Sequence, residues 1–422
     1  MSDSATAAPP ATECDATAVV VSPSGRGAVA VVVVDGTDAA RLVDACFRPA
    51  AARGLAARAV GRIVFGRWTT GDAAGENIGE EVVVCRKSDT QVEVHCHGGA
   101  AAVARILDDL AKRGVNVADW RKWRTQSAAD PVEAEADIAL AAATTERAAR
   151  VLLDQRHGAL RRAVDKAIEA LDDGAPDCAA AIVARLLDRY RIGRHLAAPW
   201  RVVLAGPPNV GKSSLINRLL GYERAIVFDQ PGTTRDVVSA TTALDGWAIE
   251  LSDTAGLRES SDALEQAGVD RARAQIERAD LVVLVDVDGE TGDRRQEQHS
   301  ENPLSPVSCL PPSCTLPPSI PALQVLNKSD LRSGDELRAA ASTERDLLHT
   351  SAKTGQGIAE LAAAIVARLV AEPPSPGEAV PFTGRQTQCL ERAACALREQ
   401  RLHDASAGLR GMIDRQWPAP SP

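Results

Sequence analysis

The sequence predicts a small α/β domain at the N-terminus, then packed helices, with a larger α/β domain inserted among those helices. Three observations predict this order. Short apolar runs separated by turn residues fill the chain to about Trp120, and Ala/Leu/Arg/Glu-rich runs with almost no strand signal follow from about Pro131. From Trp200, strand and helix signals alternate behind a glycine-rich loop.

The bulk properties set limits. At 422 residues the chain can hold two or three cores, and with 3% aromatics those cores must be built from Val, Leu, Ile and Ala. Large base-stacking platforms are not expected. A net charge of −9 argues against a general phosphate-binding surface, so any RNA contact should be local or shared with a partner. The nine cysteines are scattered without a repeated CxxC, and the opening MSDSATAAPPATECDA lacks the regions of a signal peptide. A reducing cytoplasm is the expected compartment. No apolar run reaches the roughly 18 to 20 residues that span a bilayer, so no membrane anchoring is expected.

Residues 1–16 read as a disordered start. Over 17–120, TAVVVS and GAVAVVVVDG read as strands around the turn SPSGRG, with EEVVVC and QVEVH as further strands and AAAVARILDDLAKRG as an amphipathic helix. Over 121–198, ERAARVLLDQ and CAAAIVARLLDRYRIGRHL read as packed helices. The α/β block, 199–371, starts with the buried strand WRVVLAG, and its alternation predicts a parallel sheet with helices on both faces. Residues 288–321, rich in Pro, Ser and charge between LVVLVDV and ALQVLN, read as a disordered surface insertion. The final block, 372–422, returns to a helical pattern in a shortened form.

The chemistry concentrates in the α/β block. GPPNVGKSS fits G-x-x-x-x-G-K-[ST] between a strand and a helix. Its Asn209, Val210, Gly211, Lys212, Ser213 and Ser214 would surround phosphates: backbone N–H groups close around the anion, Lys212 reaches the β/γ oxygens, and the Ser213 hydroxyl can ligate magnesium. PGTTRD then offers Thr233 and Thr234, the latter a second magnesium ligand. DTAG offers Asp253 for the metal shell, with Thr254, Ala255 and the Gly256 amide beside the γ-phosphate. NKSD places Asn327, Lys328 and Asp330 after a strand, where the Asp330 carboxylate can accept from guanine N1–H and its 2-amino group; adenine lacks that pair. Ser351 and Ala352 of SAK close the base pocket. Together these predict a magnesium-dependent GTP/GDP site, and the fold class is an α/β P-loop GTPase domain inserted in an α-helical domain, preceded by a small α/β N-terminal domain.

After DTAG stands Leu257, where Ras-like GTPases carry a water-orienting glutamine. SPSGRG, VHCHGG, GPPNVGKSS, AIVFDQPGTTRD, DTAGLRESSDALEQAGVDRA and NKSD together resemble the MnmE (TrmE) tRNA-modification GTPases, over about Thr17 to Arg398. The resemblance implies potassium-stimulated hydrolysis by G domains that pair across the nucleotide, with a monovalent cation in place of an arginine finger. Asn209 matches the potassium-binding asparagine; Phe228, Gln230 and Thr233 match the loop completing that site, and Glu265 the acid that helps to position water. The catalytic set implied is Glu265, Lys212, Asn209, Thr234 and Gly256. It also implies a homodimer working with an MnmG-like flavoprotein on wobble uridines of tRNA.

The chain departs from the family in places. The family binds a folate derivative on the N-terminal domain and ends in a CIGK-like cysteine segment. Here Val33 occupies the place of a folate-contacting arginine, the ending is DRQWPAPSP, and RKSDTQ and WRKWRTQSAADPV replace longer family segments. GTP hydrolysis is expected to be intact and the modification chemistry eroded. A second reading is therefore a GTP-dependent regulatory switch or adaptor; a third, a ribosome-assembly GTPase, expects a KH domain or a second G domain, and neither is visible. His95 and His97 share a strand face, and Cys309 and Cys314 lie close in sequence, but each pair lacks further ligands and a non-metal role is expected. Arg26 reads as part of a turn, and Arg235 with Asp236 as a pair shaping their loop.

Overall fold

The computed structural model describes residues 15–23, 25, 27–50, 54–69, 79–222, 239–254, 272–287, 316–331 and 347–414. The chain divides into two compact units, Met1–Ala129 and Asp130–Pro422.

Among the described residues, the first unit is a seven-stranded sheet with three α-helices. Its elements are β1 (Thr17–Val20), β2 (Val29–Asp35), α1 (Ala39–Asp44), β3 (Phe47–Pro49), β4 (Ile63–Trp68), β5 (Glu80–Arg86), β6 (Gln91–His97), α2 (Ala100–Ala111), β7 (Asn116–Val117) and α3 (Trp120–Ser127). The strand order is β3-β4-β5-β6-β2-β1-β7, antiparallel except where β7 joins β1. Along β2, Ala30, Val32 and Val34 face a core shared with Val92, Val94, Ile106 and Leu110. In this core Trp68 Nε1 donates to the buried Asp109 Oδ2 at 3.0 Å and so ties β4 to α2. Val33 points the other way, 4% exposed and opposite Val19 and Glu93.

The second unit opens with α4 (Pro131–Leu140), α5 (Glu146–Arg156), α6 (Ala159–Asp172) and α7 (Pro176–Gly193). Their starts follow local chemistry: Asp130 caps α4 ahead of Pro131 at the first helical position, and the Thr145 hydroxyl accepts from Ala148 N to cap α5. A six-stranded sheet follows, built from β8 (Trp200–Ala205), α8 (Lys212–Leu220), β9 (Ser239–Leu244), β10 (Trp247–Asp253), α9 (272–277), β11 (Leu281–Val287), β12 (Ala322–Asn327), β13 (Leu347–His349) and α10 (Ile358–Leu369). The chain ends its described part in α11 (Gly384–Arg398), entered by a Thr383–Gln386 capping box, and α12 (Leu402–Ile413).

The strand order is β13-β12-β11-β8-β10-β9. β8 and β11, at the centre, carry the continuous buried apolar runs Val202–Ala205 and Leu281–Val285 because both faces are covered there. The sheet departs from the expected all-parallel form at its edge, where β9 runs antiparallel to β10. The cause is local: Asp245 and Gly246 both take positive φ (46° and 75°), the two-residue turn that joins antiparallel strands. Within 316–321, Leu316 and Ile320 pack against the face of the sheet that carries Val282 and Leu284.

One hydrophobic cluster runs from Val132 in α4 through the sheet to Ile413 in α12, so helices before and after the sheet share a core with it. Polar stitches fix the segment between α10 and α11. Gln155, 1% exposed, donates to Glu378 O (2.9 Å) and accepts from Val380 N (3.1 Å); just beyond that segment, Arg385 in the first turn of α11 grips Glu135 of α4 through two bonds of 2.6 and 3.0 Å.

A second junction joins α7 to the sheet. Asp280, just before β11, accepts from Arg194 Nη2 (2.7 Å) and Arg201 N (2.9 Å) and lies 3.3 Å from His195 Nε2; the His195 ring stacks on Trp200 at 3.7 Å. Burial pushes the Asp280 carboxyl up, but its hydrogen bonds with His195 and the Arg201 amide and the charges of His195 and Arg194 outweigh this and hold it below its ordinary value. A depressed folded value means the stabilisation is complete above the ordinary carboxylate range and is lost as pH falls through the lowered value. Asp280→Asn should cost about 2 kcal/mol at neutral pH and flatten the acid limb of a urea-midpoint against pH profile. An unchanged acid limb would show that the junction contributes nothing to acid sensitivity.

Candidate functional site

The site lies at the C-terminal ends of the parallel strands, where loops leave β8, β10 and β12. The loop after β8 needs two glycines for distinct reasons. A Cβ at Gly206 would collide with the Val285 carbonyl, and one at Gly211 with the Asn327 side-chain amide; both residues also have positive φ. Asn209 is exposed and takes a left-handed φ of 64°, and the next residue, Val210, is buried.

Lys212 opens α8 and is 3% exposed, its ammonium donating to Gly206 O (3.0 Å) and Pro207 O (2.9 Å). The cation is thus folded back over its own loop, at a helix N-terminus that favours anions. Ser213 Oγ donates to Asp253 Oδ2 at 2.5 Å, and Asp253 is held at the end of β10 by its parallel register with Leu204. A hydroxyl and a carboxylate in contact form an all-oxygen donor pair that suits a hard cation such as magnesium. Thr254 is anchored on Leu204 O through its amide and hydroxyl, each at 3.2 Å; Ser214 is exposed.

The far end of the candidate site is assembled around Asn327, 1% exposed at the tip of β12. Its Nδ2 donates to Val210 O (2.8 Å) and its Oδ1 accepts from Ala352 N (3.1 Å), so one amide joins the phosphate loop to the SAK loop. Lys328 has a φ of 63°, which turns the chain so that Asp330 Oδ1 accepts from Ser351 Oγ at 2.6 Å. The structure therefore brings together Asn209, Val210, Gly211, Lys212, Ser213, Asp253, Thr254, Asn327, Lys328, Asp330, Ser351 and Ala352, from four separate stretches. Phe228, Gln230, Thr233, Thr234, Ala255, Gly256 and Glu265 lie outside the described residues, as do Arg26, Arg235, Asp236, Leu257, Cys309 and Cys314.

Two contributors have no motif to announce them. Thr350 Oγ1 lies 3.4 Å from Asn327 Oδ1, and Arg218, in the last turn of α8, binds the carbonyls of Ala352 and Lys353. A single basic residue at a helix end carries no sequence signal for such a contact.

In the first unit, His95 Nε2 lies 3.3 Å from Glu93 Oε2 and His97 Nδ1 2.5 Å from Glu80 Oε1. Among the described residues no group of three or more His, Cys, Asp and Glu is placed to hold a metal, and no helix is long and apolar enough to cross a membrane.

Comparison with known proteins bears on both units. Residues 201–308 match the family model "50S ribosome-binding GTPase", and residues 16–120 match "GTP-binding protein TrmE N-terminus". The tRNA modification GTPase MnmE of Symbiobacterium thermophilum is 33% identical over 420 residues, covering 90% of this chain and 88% of that protein. The chain belongs to the MnmE family. Its MnmE relatives include those of Heliobacterium modesticaldum, 31% identical over 91% of this chain and 89% of the relative, and Nitrosomonas europaea, 33% over 84% and 81%. A P-loop GTPase domain and a TrmE N-terminal domain are thus both present in this MnmE-family chain.

Proposed function

We propose that this chain hydrolyses GTP to GDP and phosphate in the service of tRNA wobble-uridine modification, with the GTPase domain inserted in a helical domain and driving conformational change. The observation that carries the reading is the single Asn327 side chain, which links the phosphate loop at Val210 to the base loop at Ala352. That link would hold together the two ends of a guanine-nucleotide site. Lys212 would neutralise charge on the β/γ-phosphates, and Asp330 would select guanine. Magnesium, held by Ser213 and Asp253 with Thr234 completing the shell, would stabilise charge on the phosphoryl oxygens.

Leu257 has no group to orient water, so charge stabilisation must come from elsewhere. The family relationship supports a potassium ion at Asn209, which is exposed on the phosphate loop with a left-handed φ. Phe228, Gln230 and Thr233 would complete that site, Gly256 would meet the γ-phosphate, and Glu265 would help to place water, all in a G-domain dimer working with an MnmG-like flavoprotein. Replacing potassium by sodium should lower kcat for GTP by about ten-fold or more. Equal rates in the two salts would remove the cation from the mechanism.

Mass spectrometry of wobble-uridine nucleosides in tRNA from cells with and without the gene tests the cellular role. Loss of the carboxymethylaminomethyl-type modification supports it; an unchanged profile in cells with no second copy would overturn it. A second reading, a GTP-dependent switch or adaptor, is favoured by one observation. Val33, buried opposite Val19 and Glu93, offers no side-chain hydrogen-bond donor where the family has an arginine for folate. Calorimetry with tetrahydrofolate separates the two: binding argues for the modification role, and its absence for the switch.

A further inference from the structure

Helix α8 begins at the phosphate end of the site and finishes beside the base loop. Lys212 and Ser213 open it, and Arg218 lies in its last turn. The Arg218 guanidinium donates from Nε to Ala352 O and from Nη2 to Lys353 O, each at 2.6 Å. Two successive carbonyls held by one planar fork fix both the position and the tilt of the peptide between them.

That stretch of backbone is the one the guanine reading depends on. Ala352 N is committed to Asn327 Oδ1, and Ser351 Oγ donates to Asp330 and accepts from Thr354 N at 3.2 Å. The residues that would recognise the base thus hold the loop from the β12 side, and Arg218 holds it from the α8 side. Arg218 itself points at carbonyls and has no acceptor to offer a nucleotide. Its helix is the one whose first turn carries Lys212 and Ser213, six residues earlier at most, or roughly 9 Å along the axis.

We propose that Arg218 is a positioning residue for nucleotide binding: by fixing the Ala352 and Lys353 carbonyls it sets the base loop and couples it to the phosphate loop through α8. The proposal rests on the guanine reading of the site. Without the guanidinium, the β12-side bonds to Ala352 N and Ser351 Oγ remain but the α8 side of the loop must be ordered by the nucleotide, and that ordering is charged against affinity. The contacts are exposed to solvent, so the loss is moderate.

The test titrates mant-GDP into the full chain, as wild type, Arg218→Ala and Arg218→Lys. The dissociation constant should rise about five-fold in Arg218→Ala, since hydrogen bonds to charged groups are among the stronger ones. Arg218→Lys should recover part of that, because an ammonium can reach one carbonyl but cannot fork across two. KM for GTP should follow the dissociation constant while kcat at saturation keeps most of its value. A merely structural role would lower the fraction of protein that binds and leave the affinity of the rest unchanged. An Arg218→Ala dissociation constant within about two-fold of wild type overturns the proposal and leaves the guanine reading standing. If Arg218→Ala does not fold, Arg218→Lys decides in the same way: weaker binding at full stoichiometry supports the proposal, and wild-type affinity overturns it. Failure of the wild type to bind mant-GDP would remove the guanine reading itself.

Discussion

Lys212→Ala should lower kcat/KM for GTP by about a thousand-fold, with the fold retained. The physical reason lies in how the ammonium is held. It is 3% exposed and satisfied by two neutral carbonyls of its own loop, Gly206 and Pro207. A phosphate arriving at the N-terminus of α8 offers anionic acceptors in their place, and a charge-assisted bond is roughly twice as strong as a neutral one. On the proposed reading, the charge is stored where negative charge would develop during phosphoryl transfer. Lys212→Arg should not restore activity, because a planar guanidinium cannot occupy the space of a compact ammonium between those carbonyls. Single-turnover phosphate release at excess protein, with circular dichroism to confirm folding, reads the effect. Wild-type turnover in Lys212→Ala would show that hydrolysis takes place elsewhere.

The second large effect concerns the base. Asp330→Asn should weaken GDP binding by about a hundred-fold or more and bring XDP into comparable or better affinity. The carboxylate of Asp330 is an acceptor at both oxygens, matching the N1–H and 2-amino donors of guanine. An asparagine presents one acceptor and one donor, so the guanine 2-amino group would face a donor. Xanthine carries a carbonyl there and restores the pair. The hydrogen bond from Ser351 Oγ to Asp330 Oδ1, 2.6 Å long, fixes which way the side chain turns. Competition of GDP and XDP against mant-GDP measures the exchange. An equal loss for both bases would mean that Asp330 shapes the loop and does not read the base.

Much of this site is legible in the sequence because short motifs specify both a residue type and a backbone need. Gly206 and Gly211 must be glycine where Val285 O and the Asn327 amide approach them, and a strand followed by a helix is the only setting in which Lys212 and Ser213 act together. NKSD and SAK are individually weak, yet Asn327 joins both to the phosphate loop through Val210 and Ala352. Arg218 could not be read in advance, since its partners are backbone carbonyls far along the chain that any sequence would supply. The antiparallel edge strand β9 was masked by the general βα alternation, although the Asp245-Gly246 turn that causes it is a strong hairpin signal. In the first unit, β3, β4 and α1 lie in a stretch whose mixed Ala, Arg and Gly content has no clean period, so they emerge only from tertiary pairing. The helices were readable from composition, but Gln155 and the bonds by which it holds Glu378 and Val380 were not, because they join positions more than two hundred residues apart.

The most direct test of the account is phosphate release by the full chain with GTP or ATP, in potassium and magnesium. Release from GTP, none from ATP, and loss of the GTP signal in Lys212→Ala are the predicted results. No release from GTP above the Lys212→Ala level, or equal release from ATP, would contradict the guanine-nucleotide hydrolase described above.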